Sequence, residues 1–227
     1  MFKDCINLTE IVIKDVSLNG ITSFSNMFNN CNNLVNSIFE NVKCDDVNTT
    51  NNMFKNCVRL DYCEFNNTTL PKIQDTSYMF SNCQSLTSID MSHMICNEWE
   101  TMVGMFQYCE ILQNAFLPSS NDSIDLNGTL ISMSHSFVNC HELNQINLFN
   151  INTNNLQDSA YCFSGCTKLN RVGFVYGIDN LSRYQYTFEG VSEDGTFILY
   201  DKFNQNYKYD NILQQIPNWE VVKYIGE

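Results

Sequence analysis

The sequence predicts an α/β solenoid of about eight helix-strand units, each 26 residues long, with a parallel sheet on one face, helices on the other and a C-terminal cap. Three observations predict it. Seven cysteines stand at 5, 31, 57, 83, 109, 140 and 166, at spacings of 26, 26, 26, 26, 31 and 26. A phenylalanine lies three residues before each (Phe2, Phe28, Phe54, Phe80, Phe106, Phe137, Phe163) and a leucine three after (Leu8, Leu34, Leu60, Leu86, Leu112, Leu143, Leu169). An alternating apolar stretch then follows, as in Leu86-x-x-Ile89-x-Met91, Leu143-x-x-Ile146-x-Leu148 and Leu169-x-x-Val172-x-Phe174.

Each element of the unit has its own signal. The unit opens on an apolar column, Ile21, Val47, Ile73, Trp99, Leu130, Leu156 and Leu181. Ser23, Thr49, Asp75, Thr101, Ser132, Asp158 and Arg183 come next, and all but the arginine have a side-chain oxygen able to cap the amides of a first helical turn. Phe24, Met27, Phe28 and Cys31 then fall at i, i+3, i+4 and i+7, the apolar stripe of a two-turn helix. The L-x-x-I-x-I stretch reads as a strand with alternate residues buried. One such unit cannot bury its own apolar face, whereas stacked units can, with neighbouring strands about 4.8 Å apart. Five extra residues between the fifth and sixth units centre on Pro118–Asp122 and read as a loop bulging from the stack. An eighth, altered copy survives at Thr187–Val191, with valine in place of cysteine.

Residues 1–195 therefore read as the solenoid and 196–227 as a capping segment. The cap is expected to contain a strand over Thr196–Tyr200, a short helix over Asp210–Gln215 and a closing strand over Trp219–Tyr224. At the other end Met1 is already the methionine of the box. A solenoid starting mid-unit exposes an apolar end, so further N-terminal repeats or a partner chain are expected to cover it.

Composition narrows the function. The 227 residues are 44% hydrophobic and 13% aromatic, ample for a core. A net charge of −13 argues against a nucleic-acid partner. No apolar run reaches the roughly 18 residues that suggest membrane insertion. Eleven cysteines cannot all pair within one chain.

The stretch Thr76-Ser77-Tyr78-Met79-Phe80-Ser81-Asn82-Cys83-Gln84-Ser85-Leu86-Thr87-Ser88-Ile89-Asp90-Met91-Ser92 resembles the BspA-like leucine-rich repeat, in its MF-x-x-C-x-x-L box subtype. The resemblance spans about residues 1–200 and recurs in register seven times. It implies a cell-surface or extracellular adhesion protein, or a component of a bacteriophage tail and so of a virion. It carries over no catalytic residue. The chain departs from the pattern in being rich in asparagine, poor in glycine and proline, and without the FDTS stretch that often follows the strand.

No constellation points to an enzyme, a metal or a cofactor. The cysteine period lacks the CxxC spacing of zinc sites, so the column reads as small buried hydrophobes, as do Cys63 and Cys162. Cys44 and Cys96 fall five residues beyond their strands, in loops, two units and roughly 10 Å apart, too far to bond. His93, His135 and His141 have no partners at metal-binding intervals. Asp45-Asp46 lacks the spaced oxygens of a calcium loop.

The candidate site is the outward strand face. One column there is Glu10, Asn36, Tyr62, Ser88, Asn114, Gln145 and Arg171, and a second is Val12, Ile38, Glu64, Asp90, Phe116, Asn147 and Gly173. Stacking should make them one continuous surface on which Tyr62, Glu64, Ser88, Asp90, Asn114, Phe116, Gln145, Asn147 and Arg171 bind a protein or glycan. Aromatic and aliphatic side chains on an otherwise polar face mark an interaction surface; the alternative is a sheet covered by another domain, or scattered surface apolars. The runner-up is a receptor-binding or structural piece of a phage tail. Unpaired thiols would also suit an intracellular scaffold.

Overall fold

A computed structural model describes residues 1–94, 96–118, 129–174, 178–201 and 209–225. Alternating apolar residues set seven short strands at the predicted places: β1 (Glu10–Lys14), β2 (Asn36–Glu40), β3 (Tyr62–Asn66), β4 (Ser88–Asp90), β5 (Asn114–Phe116), β6 (Gln145–Leu148) and β7 (Arg171–Phe174). In β1–β6 alternate residues point inward, as in β3, where Cys63 and Phe65 are buried. After these come β8 (Thr196–Asp201), α1 (Asp210–Leu213) and β9 (Glu220–Ile225). All strand pairs are parallel and shifted by one unit, Glu10 against Asn36 and Asn36 against Tyr62.

The helix-strand description needs correction. The MF-x-x-C box is a chain of turns, and α1 is the only α-helix among the described residues. The reason lies in where the amides go. Asn52, Phe54 and Asn56 donate to the Ser77, Met79 and Ser81 carbonyls of the following unit (3.0, 2.8 and 2.9 Å). The residues between them, Met53, Lys55 and Cys57, donate three residues back to Thr50, Asn52 and Phe54 (3.0, 3.2 and 3.0 Å). Alternating donors thus bind across and within units, so an i to i−4 ladder never forms. Two residues per box take positive φ to allow this, at five and one before the column residue: Asn26 and Asn30, Asn52 and Asn56, Tyr78 and Asn82, Gly104 and Tyr108, His135 and Asn139, Tyr161 and Gly165, Tyr186 and Gly190. Asparagine and glycine tolerate that conformation, and each positive φ interrupts a right-handed helix.

The stripe is nonetheless buried. Phe28, Cys31 and Leu34 have no exposed surface, and the phenylalanine column runs from Phe2 to Phe188 with centroids 5.3–5.6 Å apart. The cap residues do what their chemistry predicts, but for turns: Asp75 Oδ1 accepts from the Ser77 amide (2.8 Å), Asp158 Oδ1 from Ala160 (3.0 Å) and Ser23 Oγ from Ser25 (3.1 Å). The same residues bridge from unit to unit, Ser23 through Thr49, Asp75, Thr101, Ser132 and Asp158 to Arg183. Asparagines stack as ladders: Asn30 donates to Asp4 (2.7 Å), Asn56 to Asn30 (2.8 Å) and Asn82 to Asn56 (3.1 Å). A second ladder joins Asp15, Asn41 and Asn67 at 2.8 and 3.0 Å. Asparagine both donates and accepts, so one residue type satisfies both neighbours.

Beyond the eighth box no further box follows among the described residues, and a side chain receives the Phe188 amide. The Phe188 amide donates to Gln215 Oε1 (3.3 Å), while Gln215 Nε2 donates to the Tyr184 carbonyl (2.8 Å). Trp219 packs edge-on against Phe188 (5.8 Å) and donates from Nε1 to the Ser192 carbonyl (3.0 Å). β9 pairs with β8 along Thr196–Asp201.

Cys44 and Cys96 lie in loops beyond their strands, as expected. Their loops fold back onto the core, leaving them 1% and 2% exposed, and burial pushes their thiols up to about 11 and about 12. All eleven cysteines are free. Most of the loop expected at Pro118–Asp122 lies outside the described residues.

Candidate functional site: the outward strand face

The outward columns emerge from the strands by alternation, and the parallel register aligns them. Glu10, Asn36 and Tyr62 are in register, as are Ser88 with Asn114 and Gln145 with Arg171. The second column runs Val12, Ile38, Glu64, Asp90 and Phe116 without a gap, and then Asn147 with Gly173.

The surface is not one continuous sheet. Strands β1–β5 form one sheet and β6–β9 another. The break falls between β5 and β6, where the repeat spacing lengthens from 26 to 31 residues. The turn side passes through unbroken: Phe106 stacks on Phe137 at 5.3 Å and the Met102 amide donates to the Ser132 carbonyl (3.0 Å). The gap leaves a cleft of about 300 Å³ bordered by Asn114, Phe116, Gln145, Asn147 and Phe149. A second cleft of about 350 Å³ lies over β3 and β4, which pair only through Glu64 and Asp90, and is bordered by Tyr62, Glu64, Ser88, Asp90 and His93.

Three of the apolar members are exposed, while Ile38 is half-buried. Tyr62 is 48% exposed, Phe116 53% and Val12 50%. Glu64, the phenol's hydrogen-bond partner, pushes the Tyr62 hydroxyl above its usual range, and burial and the carboxylate's charge act in the same direction. Asp90 is buried enough to be pushed upward, yet its bonds from the Ser92 hydroxyl (2.6 Å) and amide (2.9 Å), with the nearby His93, outweigh this and hold it below the usual carboxylate range. Glu64 and Asp90 are thus two acids standing side by side, an arrangement unfavourable in itself and favourable to a ligand offering hydrogen-bond donors or positive charge.

Gly173 differs from its column. It is buried, because the Phe149 ring lies over it, and a Cβ there would come within 2.6 Å of Phe149 Cε1. A glycine inside a strand is the sequence signal of such a close approach. Sequence reasoning also missed Phe149 itself, and it missed that Thr196 and Glu220 extend the first column onto β8 and β9. No group of three metal-ligating side chains occurs among the described residues.

The comparisons place this geometry in a family. A model described as a Mycoplasma protein of unknown function, DUF285, matches residues 1–119, just over half of the 227, and a BspA type leucine rich repeat region matches residues 106–211 in 6 copies. The chain belongs to the BspA-like leucine-rich repeat family. Together the two matches cover nearly all the stacked units, so the repeat seen in the hydrogen-bond ladders is the repeat of the family. No curated protein and no solved structure matches the chain. As a leucine-rich repeat solenoid of parallel strands, it is a protein-interaction or adhesion type of module, a class that is typically non-enzymatic. No helix among its described residues is long and apolar enough to cross a membrane.

Proposed function

We propose that this leucine-rich repeat is a non-catalytic recognition and adhesion module at a cell surface or in the extracellular space, binding a protein or glycan through the strand face. The observation that carries the reading is the pair of bare aromatics, Tyr62 and Phe116, flanking the in-register carboxylates Glu64 and Asp90. Aromatic anchors beside placed polar groups are the usual composition of a binding hot spot. Two clefts on the same face supply concavity, and Ser88, Asn114, Gln145, Asn147 and Arg171 supply further hydrogen-bonding groups. BspA-type repeats are typically surface-exposed or secreted, which fits such a role.

The test is capture of the chain on arrays of extracellular proteins and of glycans, beside a Tyr62→Ser/Phe116→Ser variant. Both side chains are half exposed, so the variant should melt with the wild type. Selective capture that the variant loses by about tenfold or more supports the strand face. Equal capture of both chains, or none of either, counts against it.

A further inference from the structure

The turn side carries side chains that the fold does not require. Five residues before the column residue, every box from the second onward takes positive φ, with Asn26, Asn52, Tyr78 and Gly104 at that position in the second to fifth boxes. The last three boxes place rings there in succession, His135, Tyr161 and Tyr186, at φ of 58°, 58° and 59°. Bulky residues rarely adopt this conformation, and such strain often marks a functional site. Here the rings form a row, His135 on Tyr161 at 5.0 Å and Tyr161 on Tyr186 at 4.9 Å.

The row ends at a cleft. Tyr186 has one face against Tyr161, remains 52% exposed, and lines a cavity of about 470 Å³ between the last box and α1. Tyr184 and Phe188 make its walls largely apolar, Asn211 and Gln214 stand exposed on the α1 side, and Glu189 is the one charged residue among the described lining. Gln215 is already engaged at both ends of its amide by the Phe188 amide and the Tyr184 carbonyl, which fixes the wall against the last box. An apolar ring face with two free-standing amides and little charge does not suit an anion or a basic peptide. It matches the two-sided chemistry of a pyranose, which has a C–H face to lie on an aromatic and a rim of hydroxyls to bond amides.

We propose that this cleft is a second binding site, distinct from the strand face, for a neutral oligosaccharide, with one sugar ring stacked on Tyr186 and its hydroxyls bonded by Asn211 and Gln214. The test is calorimetric titration of the full chain with linear tetrasaccharides of β-1,4-glucose, β-1,4-N-acetylglucosamine and α-1,4-glucose. Saturable binding of at least one is expected. Tyr186→Asn should weaken it about tenfold, the loss of one stacked aromatic face. Because asparagine holds this position in the second and third boxes, that variant should melt no lower than the wild type. Tyr186→Phe, which keeps the ring, should stay within about twofold. The Tyr62→Ser/Phe116→Ser variant should bind the tetrasaccharide as the wild type does, so the two sites fail separately. No saturation by any of the three sugars, or unchanged binding by Tyr186→Asn, overturns the proposal.

Discussion

At the scale of the residue, the cysteine column is a hydrogen-bonding column. Cys31 Sγ donates to the Phe2 carbonyl (3.0 Å), and Cys57, Cys83, Cys109, Cys140 and Cys166 repeat the bond to Phe28, Phe54, Phe80, Phe106 and Phe137 at 2.9–3.2 Å. The Phe54 carbonyl also receives the Cys57 amide (3.0 Å), so both its lone pairs are used inside the core. Cysteine is small enough for the stack and still carries a donor, which alanine or valine would not. Burial keeps these thiols protonated, pushing Cys57, Cys109 and Cys166 up to about 12 from the usual 9.0. A protonated, buried thiol is unreactive. Thiol titration at neutral pH should therefore find one fast-reacting group in the native chain, the half-buried Cys5, and all eleven after denaturation. Rapid reaction of Cys44 or Cys96 would contradict their burial.

At the scale of the element, the strands were legible and the box was not, for a common reason. A strand's period of two survives stacking, so Cys63 and Phe65 announce their burial directly. The stripe of Phe24, Met27, Phe28 and Cys31 fits a helix, but it fits equally a segment alternating in-unit turns with bonds to the next unit. Only the positive-φ positions separate the two, and there the asparagines and glycines carry the signal. The asparagine richness that looked like drift from the family pattern is thus part of the architecture. Asn56 shows it twice over, through a φ of 62° and its place between Asn30 and Asn82 in the ladder. Asn56→Gly removes only the ladder bonds and should cost about 1 kcal/mol or less in urea unfolding. Asn56→Ala adds the left-handed backbone penalty and should cost about 1–2 kcal/mol more. Equal effects of the two substitutions would mean that the positive φ is not what shapes the box.

At the scale of the whole molecule, one ladder is continuous and the other is interrupted. The phenylalanine stack and the bridges from Ser23 to Arg183 run through every unit, while the strand face divides between β5 and β6. The columns of the candidate site were legible because register follows from the repeat. The division, the cover of Phe149 over Gly173 and the burial of Cys44 and Cys96 were not, because each depends on how an irregular connection folds back. Tyr62 and Phe116 both lie on the first sheet, and the Phe116 side opens into the cleft shared with Gln145 and Asn147. The central claim, that the strand face is the recognition surface, is tested most directly by hydroxyl-radical footprinting of the chain alone and bound to a protein or glycan that captures it on the arrays. Oxidation of Tyr62 and Phe116 should fall on binding, while Tyr108, 44% exposed on the turn side, should be unchanged. Protection of Tyr108 with Tyr62 and Phe116 still oxidised at the free rate would contradict it.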